Sequence, residues 1–209
     1  MPLAWQDSLF GDEPGAATPG ALDLSGVRRL ALDGRSWLDL APGWLPGHGE
    51  LFDQLRAEAP WQQRERRMYD RDVLEPRLVA AWTDAAIRQL PARLQEIRAA
   101  VSEHYRVDFD SVLVNLYRDG RDGVAWHGDT VRKRLPRTVV VTVGLGERRR
   151  FLLRPGDRGP ATLELETGQG DLVVMGGRAQ HEWQHTVPKA ARAGARMSIT
   201  MRHRAALTQ

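Results

Sequence analysis

The sequence predicts a mostly β protein with N-terminal helices (α+β), closing as a double-stranded β-helix, or jelly roll. Two observations carry this prediction. From Ser111 onward about eight short β-prone runs alternate with Gly- or Pro-containing breaks. Sustained helical periodicity is confined to the residues before them. A chain of 209 residues suits one ordinary domain.

The elements follow in order. Residues 1–25 are rich in Gly, Pro, Ala and Asp without periodicity, and are expected to form an irregular tail. The domain is expected to span 26–209, with an N-terminal extension over 26–110 and a jelly-roll core over 111–204. Leu51–Arg56 and Ala85–Val101 read as helices. In the second, Ile87, Leu90, Leu94, Ile97 and Val101 recur at helical spacing, with Pro91 inside the pattern. The expected strands are Val112–Tyr117, Val124–His127, Thr138–Val143, Phe151–Arg154, Thr162–Glu166, Leu172–Met175, Glu182–Thr186 and Arg196–Arg202. Breaks such as Asp119-Gly120, Pro155-Gly156 and Gly176-Gly177 separate them.

Composition narrows the chemistry. With no cysteine, a thiolate nucleophile or thiolate metal site is excluded, so any metal must be held by His, Asp or Glu. No apolar run approaches the ~20 residues that span a bilayer. The start does not read as a signal peptide, so the expected location is cytoplasmic, with no membrane partner. The net charge of +3 conceals an asymmetry: residues 1–60 carry 9 acidic and 4 basic side chains, and the remainder 18 acidic and 26 basic. Of the 30 basic residues 28 are arginine, in runs at Arg64, Arg66, Arg67 and Arg71, at Arg132, Arg134 and Arg137, and at Arg148, Arg149 and Arg150. Such runs suit phosphate, and they equally suit a chain that uses arginine for every exposed cation.

His127-Gly128-Asp129 is the first chemical feature. On an extended segment residues i and i+2 point to one side, so an imidazole and a carboxylate can share an ion. His185, at the end of another expected strand, offers a third ligand. Two histidines and a carboxylate on one face of a metal leave open positions, as in non-haem iron(II) oxygenases. His181-Glu182-Trp183-Gln184-His185 also spells the H-E-x-x-H pattern of zinc peptidases. That chemistry needs a helix, whereas Gly176-Gly177, Trp183, Thr186, Val187 and Pro188 favour a strand. There His181 and His185 would stand ~13 Å apart.

In Arg196–Arg202 period two places Arg196, Ser198, Thr200 and Arg202 on one face, and Met197, Ile199 and Met201 on the other. Two inward arginines call for an anion. Their Cα atoms would lie about 20 Å apart, so they suit opposite ends of a short dicarboxylate such as 2-oxoglutarate. An outward, solvated edge strand is the alternative. Asn115 and Tyr117 form another i, i+2 pair of donors suited to a carboxylate.

Together these pieces resemble the AlkB family of nucleic-acid demethylases. Asn115-Leu116-Tyr117 leading to His127-Gly128-Asp129 is similar to its N-x-Y…H-x-D block. Gly170-Asp171-Leu172 through Met175-Gly176-Gly177, then Trp183-Gln184-His185-Thr186-Val187-Pro188, is similar to its G-D-L…W-x-H-x-V-P block. Arg196–Arg202 resembles its closing R-x-x-x-x-x-R strand, and Pro76-Arg77-Leu78 its upstream P-R-L segment.

The resemblance covers roughly 60–204 and implies Fe(2+) held by His127, Asp129 and His185, with 2-oxoglutarate and O2 as co-substrates. It implies that Asn115, Tyr117, Arg196 and Arg202 hold 2-oxoglutarate, Arg196 on the distal carboxylate and Arg202 nearer the iron. The implied reaction is oxidative removal of N-alkyl groups from bases of DNA or RNA. It releases aldehyde, succinate and CO2, with the base flipped out of its stack. Part of the extension then serves as a substrate lid, with Trp82, Tyr69 and Arg77 as candidate substrate contacts. Trp126, next to His127, should point away from the metal. A hydroxylase of a protein or small molecule with the same chemistry, and a nucleic-acid-binding module that has lost catalysis, are the alternatives. Finally, Gln6-Asp7-Ser8-Leu9-Phe10 resembles the Q-x-x-L-F peptide that docks on the bacterial sliding clamp, with Gln6, Leu9 and Phe10 as anchors.

Overall fold

A computed structural model describes residues 22–68, 71–129, 135–156 and 159–204. The N-terminal part runs β1 (Arg28–Ala31), β2 (Ser36–Ala41), α1 (His48–Glu58), then a hairpin of β3 (Glu65–Met68) and β4 (Arg71–Leu74). It continues with β5 (Leu78–Thr83), a 3-10 helix (Asp84–Gln89) and α2 (Ala92–Tyr105). The β-rich part holds β6 (Ser111–Tyr117), β7 (Val124–His127), β8 (Thr138–Gly146), β9 (Arg149–Pro155) and β10 (Leu163–Thr167). It ends with β11 (Leu172–Gly177), the one-turn α3 (Ala179–Glu182), β12 (Trp183–Val187) and β13 (Arg196–Arg202).

These strands form a seven-stranded antiparallel sheet, ordered β1-β2-β11-β8-β13-β6-β5, and a four-stranded one, ordered β10-β9-β12-β7. This is the expected jelly-roll arrangement. The residues read as an N-terminal extension supply β1, β2 and β5 to the larger sheet. The helix expected over Ala85–Val101 is divided. Leu90 precedes Pro91 and is extended at ψ 137°, as a residue before proline prefers, so the 3-10 turn stops and α2 begins afresh at Ala92.

Two apolar layers result. Leu94, Ile97 and Val101 of α2 pack with Val112, Val114, Val141, Val143, Met197, Ile199 and Met201 on one face of the larger sheet. Tyr117, Phe151, Leu153, Leu163, Val173, Met175 and Val187 pack together as a second cluster, drawn from both sheets. β8 and β13 are central, so their apolar and polar residues alike are almost all buried. Polar side chains on their inner face are therefore held where solvent is scarce. No helix of the described residues is long and apolar enough to cross a membrane.

Candidate metal and co-substrate site

β12 and β7 pair antiparallel with His185 directly opposite His127. Their imidazole centroids are 4.3 Å apart. One ligand atom from each of His127, Asp129 and His185 lies within 4.8 Å of the other two. His185 Nε2 stands 3.8 Å from Asp129 Oδ2. The ladder shifts between His185/Val187 on β12 and His127/Val124 on β7, where three steps on one strand face two on the other. Strict alternation would put Val124 on the face opposite His127; the bulge returns it to the cavity that His127 lines.

Local contacts orient each group. His127 Nδ1 lies 2.8 Å from the Ala125 carbonyl oxygen, which can only accept, so Nδ1 carries the proton and Nε2 is free to bind a metal. The Asp129 N–H donates to Gln180 Oε1 at 2.8 Å. The Arg202 guanidinium donates to Asp129 Oδ1. Phe151 stacks on His185, with centroids 5.2 Å apart and planes at 30°.

Electrostatics favour the ligand forms. Burial pushes the Asp129 carboxyl up, but Arg202, His185 and His127 together hold it below the ordinary value. Burial pushes the His185 imidazole down to about 4, with His127 and Arg202 adding to the effect and Asp129 opposing it. Near neutral pH the site thus presents a carboxylate and, at His185, a neutral imidazole. Two imidazoles and one carboxylate on one side of an ion suit iron(II) with open positions.

The cavity beside this cluster is lined by Asn115, Tyr117, Thr142, Arg196, Ser198, Thr200 and Arg202, among others. Antiparallel register sets Arg196 opposite Tyr117, and Ser198 opposite Asn115. Arg196 is 1% exposed, yet its Nη1 has no partner; Arg202 Nε is likewise buried without one. Buried guanidinium N–H groups left unmatched call for an anion, and two of them in one cavity fit a dicarboxylate. 2-Oxoglutarate meets that requirement.

Other expected residues are distributed differently. Arg77 lines the cavity. Trp82 does not: it is 6% exposed in the helix-side core, and its partner in register, Val112, belongs to the same layer. It thus stands apart from the cavity, because alternation along β5 turns it toward the layer that packs on α2. Tyr69, and Gln6, Leu9 and Phe10, lie outside the described residues. The H-E-x-x-H segment is not one helix. α3 ends at Glu182, His181 Nε2 lies 2.8 Å from the Leu135 carbonyl oxygen, and only His185 joins the cluster.

The run Arg148, Arg149 and Arg150 is engaged within the protein. Arg148 bonds Gln169, Arg150 pairs with Glu164, and buried Arg149 donates to the carbonyls of Asp119, Asp122 and Pro188. Trp126 carries the Arg154 guanidinium over its ring at 4.3 Å. Sequence reasoning missed Gln180 and Arg149 as supports of the metal cluster. Gln180 has no sequence signal, and Arg149 was concealed among neighbouring surface arginines.

Comparisons with known proteins agree with this geometry. A profile of the 2OG-Fe(II) oxygenase superfamily matches residues 62–208. The alpha-ketoglutarate-dependent dioxygenase alkB homolog 3 of Bos taurus is 30% identical over 196 residues, covering 83% of this chain and 68% of the relative. The DNA oxidative demethylase ALKBH2 of Arabidopsis thaliana is 30% identical over 193 residues, covering 73% and 60%. The solved structure of OsALKBH1 superimposes with a TM-score of 0.60 at 14% identity, covering 84% of this chain and all of that one. A prolyl-4-hydroxylase of Pseudomonas putida gives 0.52 at 18% identity, covering 82% and 94%. These two show the same fold.

Proposed function

The chain belongs to the 2OG-Fe(II) oxygenase superfamily, and from that premise we propose that it removes alkyl groups oxidatively from N-alkylated bases of nucleic acid. The observation that carries the substrate class is the 30% identity, across most of the chain, to alkB homolog 3 and to a DNA oxidative demethylase. The dioxygenase chemistry itself rests on the His127, Asp129 and His185 cluster beside two buried, incompletely paired arginines.

Iron(II), when bound, would supply the coupling of dioxygen reduction to oxidative decarboxylation of 2-oxoglutarate, with one oxygen atom going to the N-bound carbon, so that aldehyde and the repaired base are released beside succinate and CO2. His127, Asp129 and His185 would hold the ion. Arg196, deep in the cavity, holds the distal carboxylate, and Arg202, bonded to Asp129, the end nearer the metal. Asn115 and Tyr117 orient the co-substrate from β6. Leu113, Val124, Phe151 and Val187 keep the apolar part of the cavity dry. The segment that contains the β3–β4 hairpin serves as the substrate lid, a reading supported by its position in the sequence beside the P-R-L segment. Residues 6–10 dock on a sliding clamp, a reading supported by the Q-x-x-L-F pattern alone. Equal clamp binding by a fluorescent 1–15 peptide and its Leu9→Ala/Phe10→Ala version would end it.

The deciding assay combines protein, iron(II), 2-oxoglutarate and an oligonucleotide carrying methylated bases, read by mass spectrometry. Formaldehyde with the repaired base is expected, and His127→Ala should abolish both. 2-Oxoglutarate turnover indifferent to any nucleic acid would point to a hydroxylase of another substrate. No turnover at all would point to a binding module.

A further inference from the structure

Asn115 is 8% exposed and is bonded at both ends of its amide. Its Oδ1 accepts from Arg77 Nε at 3.0 Å, and its Nδ2 donates to Ser198 Oγ at 3.4 Å. The two partners are not equivalent. A serine hydroxyl donates or accepts, so Ser198 tolerates either orientation of the amide. A guanidinium N–H only donates, so Arg77 tolerates one. Turning the amide over would set its NH2 against the Arg77 N–H, and would direct an oxygen where the cavity otherwise offers an N–H to a carboxylate.

Arg77 is itself held. Its Nη2 lies 3.0 Å from Glu75 Oε2, and the two side chains are 17% and 18% exposed. The adjoining backbone is fixed as well, with Gly123 N–H donating to the Pro76 carbonyl at 3.1 Å. The guanidinium is thus neutralised at one edge and committed to Asn115 at the other. We infer that Arg77 is a positioning residue for 2-oxoglutarate: it sets the Asn115 amide with its N–H groups available to the co-substrate carboxylate, through the Nε hydrogen bond and not through its charge. This rests on the cavity being the 2-oxoglutarate site, as read above.

Side-chain lengths supply the test. In Arg77→Gln the amide nitrogen occupies the place of Nε along the side chain, keeping the donor and losing the charge. In Arg77→Lys a methylene occupies that place, keeping the charge and displacing the donor. Arg77→Met loses both. Calorimetric titration of 2-oxoglutarate into the manganese(II)-loaded full chain gives the dissociation constants without turnover, and thermal melts verify folding. Arg77→Gln should stay within about threefold of the parent, whereas Arg77→Lys and Arg77→Met should bind about 5- to 30-fold more weakly. Equal losses in Gln and Lys, the reverse order, or no loss in any variant would overturn the inference. Should the Met variant fold poorly, the Gln–Lys comparison decides alone. A parent protein without affinity for 2-oxoglutarate would overturn the site reading itself, and the inference with it.

Discussion

Arg196 reaches from β13 to Thr167, donating from Nε to the carbonyl at 3.1 Å and from Nη2 to the hydroxyl at 2.8 Å. The third nitrogen, Nη1, is buried without a partner. Burial is the main force lowering the guanidinium's proton affinity here, although Tyr117 and Asp171 oppose it. Without its anion this cation is a liability to the fold. Arg196→Met should therefore leave the metal-free protein as stable or raise its stability by about 1–4 kcal/mol, while 2-oxoglutarate affinity falls by roughly 100-fold or more. Urea denaturation and calorimetry measure the two separately. A strongly destabilised variant with intact affinity would contradict this assignment.

A pH dependence follows from His185. Its folded pKa of about 4 lies below the ordinary 6.5, so as pH falls through 6.5 the unfolded chain takes a proton that the folded one refuses. Stability of the metal-free protein should then fall with decreasing pH between about 6.5 and 4. This group contributes at most about 1.4 kcal/mol per pH unit. Asp129, lowered from 3.8, adds a loss in the same direction only at more acidic pH. Denaturation curves at pH 7 and pH 5 check this, and His185→Gln should flatten the difference.

Gly128 sits between two ligands, and a Cβ there would lie 2.6 Å from the Gln180 carbonyl oxygen. The same residue's side chain accepts from Asp129 N–H. Gly128→Ala must push α3 from the cluster, and metal affinity should fall about 10- to 100-fold. Gly34→Ala, whose Cβ would meet nothing within 4 Å, serves as the neutral control. Cobalt(II) titration followed by absorbance distinguishes them; unchanged affinity in G128A would show that the ligand loop yields freely.

Arg149 ties the loop leading into β7 to the segment leaving β12 through three carbonyls. Arg149→Met leaves those acceptors unmatched and should destabilise the protein by about 2–4 kcal/mol, with weaker metal binding because His127 and His185 flank the two tethered segments. Arg149→Lys should recover less than half, since one ammonium cannot reproduce a planar fork. Full recovery by lysine would mean that charge, and not the three-way bond, matters there.

The metal cluster and the arginine face of β13 were legible because both depend on period two, a property of the backbone and not of its neighbours. His127, Asp129 and His185 needed only the correct choice of strand over helix after Gly176-Gly177. Val124 was beyond that reach, since the bulge in β7 exists only once β12 is laid beside it. The facing of Trp82 was out of reach for a similar reason: alternation says that residues differ in facing, but not which face meets the cavity. The arginine runs were the least legible. Whether Arg148, Arg149 or Arg150 meets phosphate, glutamate or carbonyl depends on chain segments 14 to 39 residues away.

The alternation along β13 has one further effect. Its thioethers, Met197 and Met201, lie on the α2 side, and Met175 packs in the inter-sheet cluster. Among the described residues no sulfur atom borders the cavity. With cysteine missing from the whole chain, the described walls of the cavity offer no group that a stray oxidant converts to sulfoxide or sulfenic acid. The oxidisable side chains that do line it are rings, Tyr117 and Phe151 beside the two histidines, so damage from a misfired cycle is directed to aromatic carbon and not to sulfur.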